Sequence, residues 1–421
     1  MRASLPTSLS TPSRRALLLG AGAVFAGAAL PRVARGDGRD PRFLAVVLRG
    51  GLDGLAVVAP VGDPNWQKLR GDKALTLDGD PRALPLDGFF ALNPAMPNLH
   101  RLYRAGQALF VHAVATPYRE RSHFDGQDVL ESGRPGPAAA DSGWLNRTVS
   151  ALAPEGAKLV RGRQALAIGP IAPLVMRGPW PLVSWVPPRL PPVGDDTAMR
   201  LLDLYRHTDP AFAAALEERI GIAKIAQAGG MNLIPARQAL AQQQGGIARV
   251  RAYFTEAAGA AARFLARPDG PRVGAMAFNG WDTHINEGAA KGRLADLLGA
   301  LDGAIAAIEA GIGEAWRDTV VALVTEFGRT ARINGNEGTD HGTATVALFA
   351  GGALKGGRIL ADWPGLKDAD LVDNRDLKPT TDLRSVLKGL LRDHLDVDEA
   401  RLEAMVFPDS TTARPTGGLV A

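Results

Sequence analysis

The segment GTDHG sets Asp340 beside His341 at the end of a polar, glycine-bearing loop, and an apolar run, Thr345–Ala350, follows it and reads as a buried strand. A carboxylate and an imidazole supply oxygen and nitrogen ligands for a divalent ion, or a proton acceptor and donor. Three other segments bring the same chemistry to the end of an apolar run. Asp53 follows FLAVVLRGGL, Asp282 and His284 follow VGAMAFNGW, and Glu326 closes VVALVT with Arg329 three residues on. Each has an ordinary reading alone: a turn residue for Asp53, a helix cap with an incidental histidine for Asp282 and His284, an ion pair for Glu326 with Arg329, a solvated corner for Asp340 and His341. Their coincidence carries more weight, because ligands of α/β sheets bind beyond the carboxyl ends of the strands, where all four segments would meet. Within the Asp340–His341 pair, His341 is the better candidate ligand.

A fifth segment, RERSHFDGQD, offers a hydroxyl. Ser122 followed by Asp125 fits a capping box, with Phe124, Val129 and Leu130 on a helix face. A helix N-terminus also favours anions, and Arg119 and Arg121 stand beside this one, so Ser122 has the place of a plain cap, a nucleophile or an anion ligand. Other chemistries lack their residues. The chain has no cysteine, which leaves any metal to oxygen and nitrogen donors and removes a thiol nucleophile. No G-x-S-x-G occurs, GGALKGG lacks P-loop spacing, and GAGAVFAG follows no strand. His100, His112, His207 and His394 lie inside helix- or strand-like runs and read as structural.

Positioning these residues falls to strands and helices that alternate along the chain. FLAVVLRGGLDG predicts a strand, PAMPNLHRLYRAG a helix, ALFVHAVA a strand, and DSGWLNRTVSAL a helix capped by Asp141 or Ser142. Ile168 to Val193, crowded with proline and tryptophan, reads as irregular surface or an edge hairpin. An Ala-, Leu-, Arg- and Gln-rich stretch at about 196–268 reads as a helical insertion or cover. Alternation then resumes with PRVGAMAF, GRLADLLGALDGAIAAIEAG, TVVALVTEF and TTDLRSVLKGLLRDHL. The pattern predicts an α/β fold, a largely parallel central sheet covered by helices on both faces.

The N-terminus is excluded from that fold. A basic start with Arg14 and Arg15 after Ser13, an uncharged run from Ala16 to Leu30 and small residues beyond it resemble a twin-arginine signal. The run is too short for a membrane span. Residues 1–36 hold five Lys and Arg and no acid, so the formal +4 of the chain falls to −1 for residues 37–421, with 43 basic and 44 acidic side chains. The basic pI therefore argues for no nucleic-acid partner. The expectation is a periplasmic or secreted protein, exported by the twin-arginine machinery, with no stable membrane span once processed.

RSHFDGQD, GWDTH, TEFGRT and GTDHG, in this order behind such a signal, resemble the exported DUF1501 family, a sulfatase-like group of the alkaline-phosphatase superfamily. The resemblance covers Phe43 to about Phe407 and implies a single alkaline-phosphatase-like α/β domain over residues 37–421. It implies one or two divalent ions at the strand ends, and oxygen and imidazole ligands suit Zn, Mn or Mg/Ca. By position, Asp53 matches the first metal carboxylate, Ser122 the nucleophile, Asp282 and His284 the pair of one site, and Glu326 the acidic ligand of the other. His341 matches the late histidine, with Asp340 a ligand or its orienter. The chain departs from the superfamily pattern in the two-residue spacing of Asp282 and His284, in Glu326-Phe327 where Asp-His is usual, and in lacking the C/S-x-P-x-R signature of sulfatases.

These readings lead to an exported metal-dependent hydrolase of a phosphate or sulfate ester, a small anionic substrate, with Arg121 or Arg329 as a further clamp. Ser122 either attacks or holds the anion while metal-activated water attacks. One alternative is a non-catalytic exported binding or structural protein on the same fold with an incomplete metal site. Another is a metal-independent serine esterase.

Overall fold

Strands buried on both faces need apolar side chains at successive positions, and the centre of this protein is built that way. The computed structural model describes residues 38–153, 165–169, 171–186 and 246–421, with some helical positions between 201 and 217. The segment expected to be a twin-arginine signal, most of the 196–268 stretch before Gly246, and His207 lie outside the described residues. Pro41–Ala421 gathers into one compact unit.

Twelve strands are described: β1 (Arg42–Arg49), β2 (Val58–Ala59), β3 (Leu84–Pro85), β4 (Ala91–Leu92), β5 (Ala108–Ala115), β6 (Ala165–Ile168), β7 (Val183–Trp185), β8 (Val273–Asn279), β9 (Thr319–Val324), β10 (Thr345–Ala350), β11 (Arg358–Leu360) and β12 (Thr381–Asp382). β2, β4 and β3 form a small antiparallel sheet. The other nine form the main sheet in the order β11-β5-β10-β9-β1-β8-β6-β7, with β12 beside β5. Every pairing is parallel except those of β10, which runs antiparallel to both β9 and β5. The fold is thus the mixed α/β architecture expected, with one reversed strand in the middle.

Side chains of each strand alternate between two apolar layers. Leu44, Val46 and Leu48 of β1 enter the layer made with α1 (Pro97–Arg104), α4 (Gly246–Ala266) and α5 (Arg293–Ile312). Phe43, Ala45 and Val47 enter the opposite layer, made with α3 (Trp144–Leu152) and α6 (Leu383–Leu395). Between α1 and α3 runs α2 (His123–Ser132). Helix α4 packs on the sheet as a cover, one of the two readings given for its part of the chain. Ala257 to Ala262 are all buried, and Phe254 stacks on Phe278 of β8 with ring centroids 3.8 Å apart. The Pro- and Trp-rich region also differs from an edge hairpin, because β6 and β7 pair in parallel. Helix α3 takes Gly143 as its cap rather than Asp141 or Ser142. No helix among the described residues is long and apolar enough to cross a membrane.

The carboxyl ends of β1, β5, β8 and β9 face one edge, and β10, being reversed, begins there. Its register sets Leu348 opposite Leu323 and Ala350 opposite Val321, so the chain before Thr345 meets the chain after Val324. There Gly328 donates to the Thr343 carbonyl at 2.9 Å, and a Cβ on it would lie 2.0 Å from the Ala344 oxygen. Gly328→Ala should therefore destabilise the protein by about 2 kcal/mol or more, since backbone has to shift. Urea unfolding measures it, and parental stability would show that the two segments do not meet this closely.

Candidate functional site

Three histidines and one aspartate converge at that edge. His123 opens α2, Asp282 and His284 lie on the loop after β8, and His341 precedes β10. His284 Nε2 is 3.0 Å from Asp282 Oδ1 and 3.0 Å from His341 Nε2. His341 Nε2 is 3.3 Å from Asp282 Oδ1, and His123 Nε2 is 3.5 Å from Asp282 Oδ2. Ligand atoms of His123, Asp282 and His341 all fall within 4.8 Å of one another.

The tautomers follow from the outer ring nitrogens. Nδ1 of His341 faces the Arg121 carbonyl at 2.9 Å, Nδ1 of His284 faces Asp340 Oδ1 at 3.1 Å, and Nδ1 of His123 faces Glu326 Oε1 at 2.9 Å. A carbonyl or a carboxylate only accepts, so each Nδ1 carries a proton, and a ring with no second proton presents its Nε2 lone pair inward. Two such lone pairs 3.0 Å apart repel unless a proton or cation lies between them. His123 Nε2 is buried and has no hydrogen-bond partner. Donors joined to one ion by bonds of about 2.1 Å in a tetrahedral array stand about 3.4 Å apart, close to the separations observed. The donor set therefore fits a divalent cation of the Zn or Mn type, with the second polar atom of each ring fixed by a protein acceptor.

Electrostatics favour the same arrangement. Burial pushes His341 below its ordinary value despite the Arg121 carbonyl, which keeps it neutral. Burial pushes Asp282 up, but the bond and charge of Arg329, with His284 and His123, hold it below the usual carboxylate range. Glu326, likewise pushed up by burial, is brought down by hydrogen bonds that include those from His123, Gln127 and the Gly50 amide. His123 runs the other way, since the hydrogen bond it donates to Glu326 raises it. Side-chain exposures of 24% to 42% place the four converging residues at the protein's edge, although the inner Nε2 of His123 is itself buried.

Other expected site residues are elsewhere in this scheme. Asp53 is not among the converging donors. Both its oxygens are bound by Arg70, at 2.5 and 3.0 Å, and the pair is buried. Glu326 is not an inner donor either: Oε1 takes hydrogen bonds from Gly50, His123 and Gln127, and Oε2 from Thr325. Asp340 orients His284, not its neighbour His341. The Arg121 guanidinium turns to Asp376 and Asp373, so only its carbonyl touches the site. Arg329 reaches the site but is spent on Asp282 at 2.7 Å and on the Thr339 hydroxyl and carbonyl. Ser122 opens α2 without a side-chain cap bond, and no capping box forms. Its amide and Asp125 meet at the Tyr118 hydroxyl instead, at 3.1 and 3.3 Å.

The residue missed in the sequence is His123. Its signal was available by elimination, because His100, His112 and His394 lie inside helix- or strand-like runs; in the structure each of these bonds a backbone carbonyl at 2.9 Å, and burial pushes His112 down to about 4. Asp282 and His284 share a side because Thr283 between them is buried in the other direction, toward Glu287.

The sequence model of the DUF1501 family, described as a protein of unknown function, matches residues 107–406. The chain belongs to the DUF1501 family. No curated protein matches it. Solved structures similar to this DUF1501 chain include the phosphonate monoester hydrolase of Agrobacterium radiobacter, 11% identical over 85% of this chain and 74% of that one, with a TM-score of 0.36. The PsFucS1 sulfatase from Pseudoalteromonas sp. is 12% identical over 83% and 68%, with a TM-score of 0.36. The C-terminal periplasmic domain of EcEptC from Escherichia coli, solved in complex with Zn, is 12% identical over 77% of each chain, with a TM-score of 0.35.

Two predictions follow from the buried charges behind the site. Asp53→Asn should cost about 3–5 kcal/mol, because it leaves the Arg70 charge buried, yet leave metal content unchanged. Thermal unfolding with elemental analysis tests this, and lost metal would return Asp53 to the donors. Glu287 is raised to about 7 by burial first and then by Asp53, with Arg70, Thr283 and Thr339 acting the other way. A raised carboxyl binds its proton in the folded state, so this contribution is full below about 4.5 and is lost as pH rises to about 7. Glu287→Gln should flatten that part of the stability profile, measured by urea unfolding at successive pH values; an unchanged slope would exclude Glu287 as its source.

Proposed function

We propose that this protein is an exported metal-dependent hydrolase of a phosphate or sulfate ester, its ion held by His123, Asp282, His284 and His341. The observation that carries the reading is the set of inward Nε2 atoms, each fixed by an acceptor at Nδ1, around one carboxylate. A divalent ion there would supply positive charge to the transferring group and lower the pKa of a bound hydroxyl or water. Glu326, Asp340 and the Arg121 carbonyl hold the rings, and Arg329 holds Asp282. Ser122 stands at the start of α2 beside His123, with no cap bond to occupy its hydroxyl, and takes the role of nucleophile. The processed protein reaches the periplasm or exterior through the twin-arginine machinery.

A second reading, a binding protein on the same fold, is favoured by one observation: both arginines expected to clamp an anion are engaged within the protein. Elemental analysis of residues 37–421 is the first test. Stoichiometric Zn or Mn is expected, and His284→Ala with His123→Ala should remove it. A metal-free protein that neither ion stabilises thermally would overturn the metal reading. Ser122→Ala should keep the metal and lose at least about 100-fold in turnover of an aryl phosphate or sulfate. Unchanged turnover would remove Ser122 from that role, absence of turnover in the metal-loaded parent on any ester tried would favour the binding protein, and chelator-resistant cleavage of carboxylic esters would point to a serine esterase.

A further inference from the structure

Behind the four converging residues, one carboxylate joins the two loops that carry most of them. Glu287 is fully buried on the loop between β8 and α5. Its Oε1 accepts from the Thr283 hydroxyl at 2.7 Å and its Oε2 from the Thr339 hydroxyl at 2.8 Å. Thr283 stands between Asp282 and His284, and Thr339 directly precedes Asp340 and His341. The Thr339 hydroxyl also accepts from Arg329 Nε at 3.1 Å, and Arg329 Nη1 reaches Asp282 at 2.7 Å. A ring closes: Asp282, Arg329, Thr339, Glu287, Thr283 and back to Asp282 through the peptide bond. Backbone bonds reinforce it, Thr339 N–H to the Thr283 carbonyl at 3.1 Å and Glu287 N–H to the Glu337 carbonyl at 3.0 Å. The loops have no slack, since a Cβ on Gly338 would lie 2.2 Å from the His284 oxygen.

We propose that Glu287 is a positioning residue of the site, a two-oxygen latch that holds the 282–284 and 339–341 loops at the spacing the donors need. The inference rests on the metal reading above. An acceptor pair is what the two threonines demand. Arg329 donates into the Thr339 hydroxyl, so that hydroxyl's own proton has to find an acceptor, and an apolar residue at 287 would strand it in the interior and leave the Thr283 hydroxyl only the Trp281 carbonyl 3.4 Å away. A glutamine meets both needs in one rotamer. Its oxygen accepts from Thr339 and its amide donates to Thr283, whose proton then turns to the Trp281 carbonyl 3.4 Å away. The conservative change should therefore rescue what alanine loses.

The experiment measures Zn and Mn dissociation constants by chelator competition for the parent, Glu287→Ala and Glu287→Gln, with amide hydrogen exchange of the metal-free proteins. Glu287→Ala should bind at least about 10-fold more weakly, as loss of a supporting hydrogen bond to a metal site does, and exchange faster in both loops. Glu287→Gln should stay within about threefold of the parent on both readouts. Should the alanine variant fail to fold, Thr339→Val cuts the same latch without a cavity and should weaken binding equally. Parental affinity and exchange in a folded Glu287→Ala or Thr339→Val protein would overturn the latch while leaving the metal reading intact. Glutamine as weak as alanine would overturn it too, by placing the effect in the charge. A parent that binds neither ion would overturn the metal reading and this inference with it.

Discussion

Inward-facing imidazole lone pairs do not stay together by packing, and the bond each ring makes at its outer nitrogen is what the site depends on. A free imidazole side chain rotates about two bonds and exchanges its proton between nitrogens, and fixing either has an entropic cost. In this protein the acceptors are a backbone carbonyl, that of Arg121, and two carboxylates, Asp340 and Glu326, none of which can donate. The carboxylates are themselves pinned. Asn334 holds Asp340 at 3.1 Å, while Gly50, Gln127 and Thr325 fill Glu326. A second layer of hydrogen bonds thereby does what the rings alone cannot, and it reaches into the ends of β1 and β9.

The reversed strand is the topological counterpart of that constraint. Were β10 parallel to its neighbours, the residues before it would lie at the opposite edge of the sheet, a strand's length from Asp282. Because it is antiparallel to β9 and β5, His341 arrives where β8 and β9 finish, and the bridge between Arg329 and His341 ties the two segments directly. The two apolar layers then fix strand positions to within side-chain packing, so the edge inherits its precision from Leu44, Val46, Val321, Leu323 and Leu348 as much as from its polar groups.

Much of this was legible from residue types. The strands at Phe43, Ala108, Val273, Thr319 and Thr345 announce themselves as short β-branched or alanine-rich runs, and the 3.6-residue spacing of Leu383 to Leu395 marks its helix. Asp282, His284 and His341 were legible because each follows or precedes such a run with little else to do. The direction of β10 was not legible, since an apolar run reads the same both ways. Nor was the partner of each charge. Asp53 and Glu326 have the right type and place, but Arg70, seventeen residues after Asp53 and hidden in a turn of helix, takes one, and the amides around β1 and α2 take the other. Ser122 drew attention as a cap while His123 beside it was the inward residue. Which of two neighbours at a helix start faces in is set by the helix's rotation against the sheet, which periodicity over ten residues leaves open.

The fate of the arginines carries the argument one step further. Loops at this edge have few ladder hydrogen bonds, so buried carbonyls need donors, and guanidinium groups supply them. Arg70 bonds the carbonyls of Thr330 and Ala331, Arg329 that of Thr339, Arg375 that of His341, and Arg119 those of Thr116 and Tyr118. Each is the kind of residue that sequence reasoning assigns to an anionic substrate, yet each is committed to holding loop backbone. Their charge remains but is turned to loop backbone and to Asp282, so positive charge free to contact an anion directly at this edge has to come from elsewhere. On the proposed reading it comes from what the three imidazoles and Asp282 hold, which makes the geometry of those four residues, rather than a basic clamp, the determinant of anion binding.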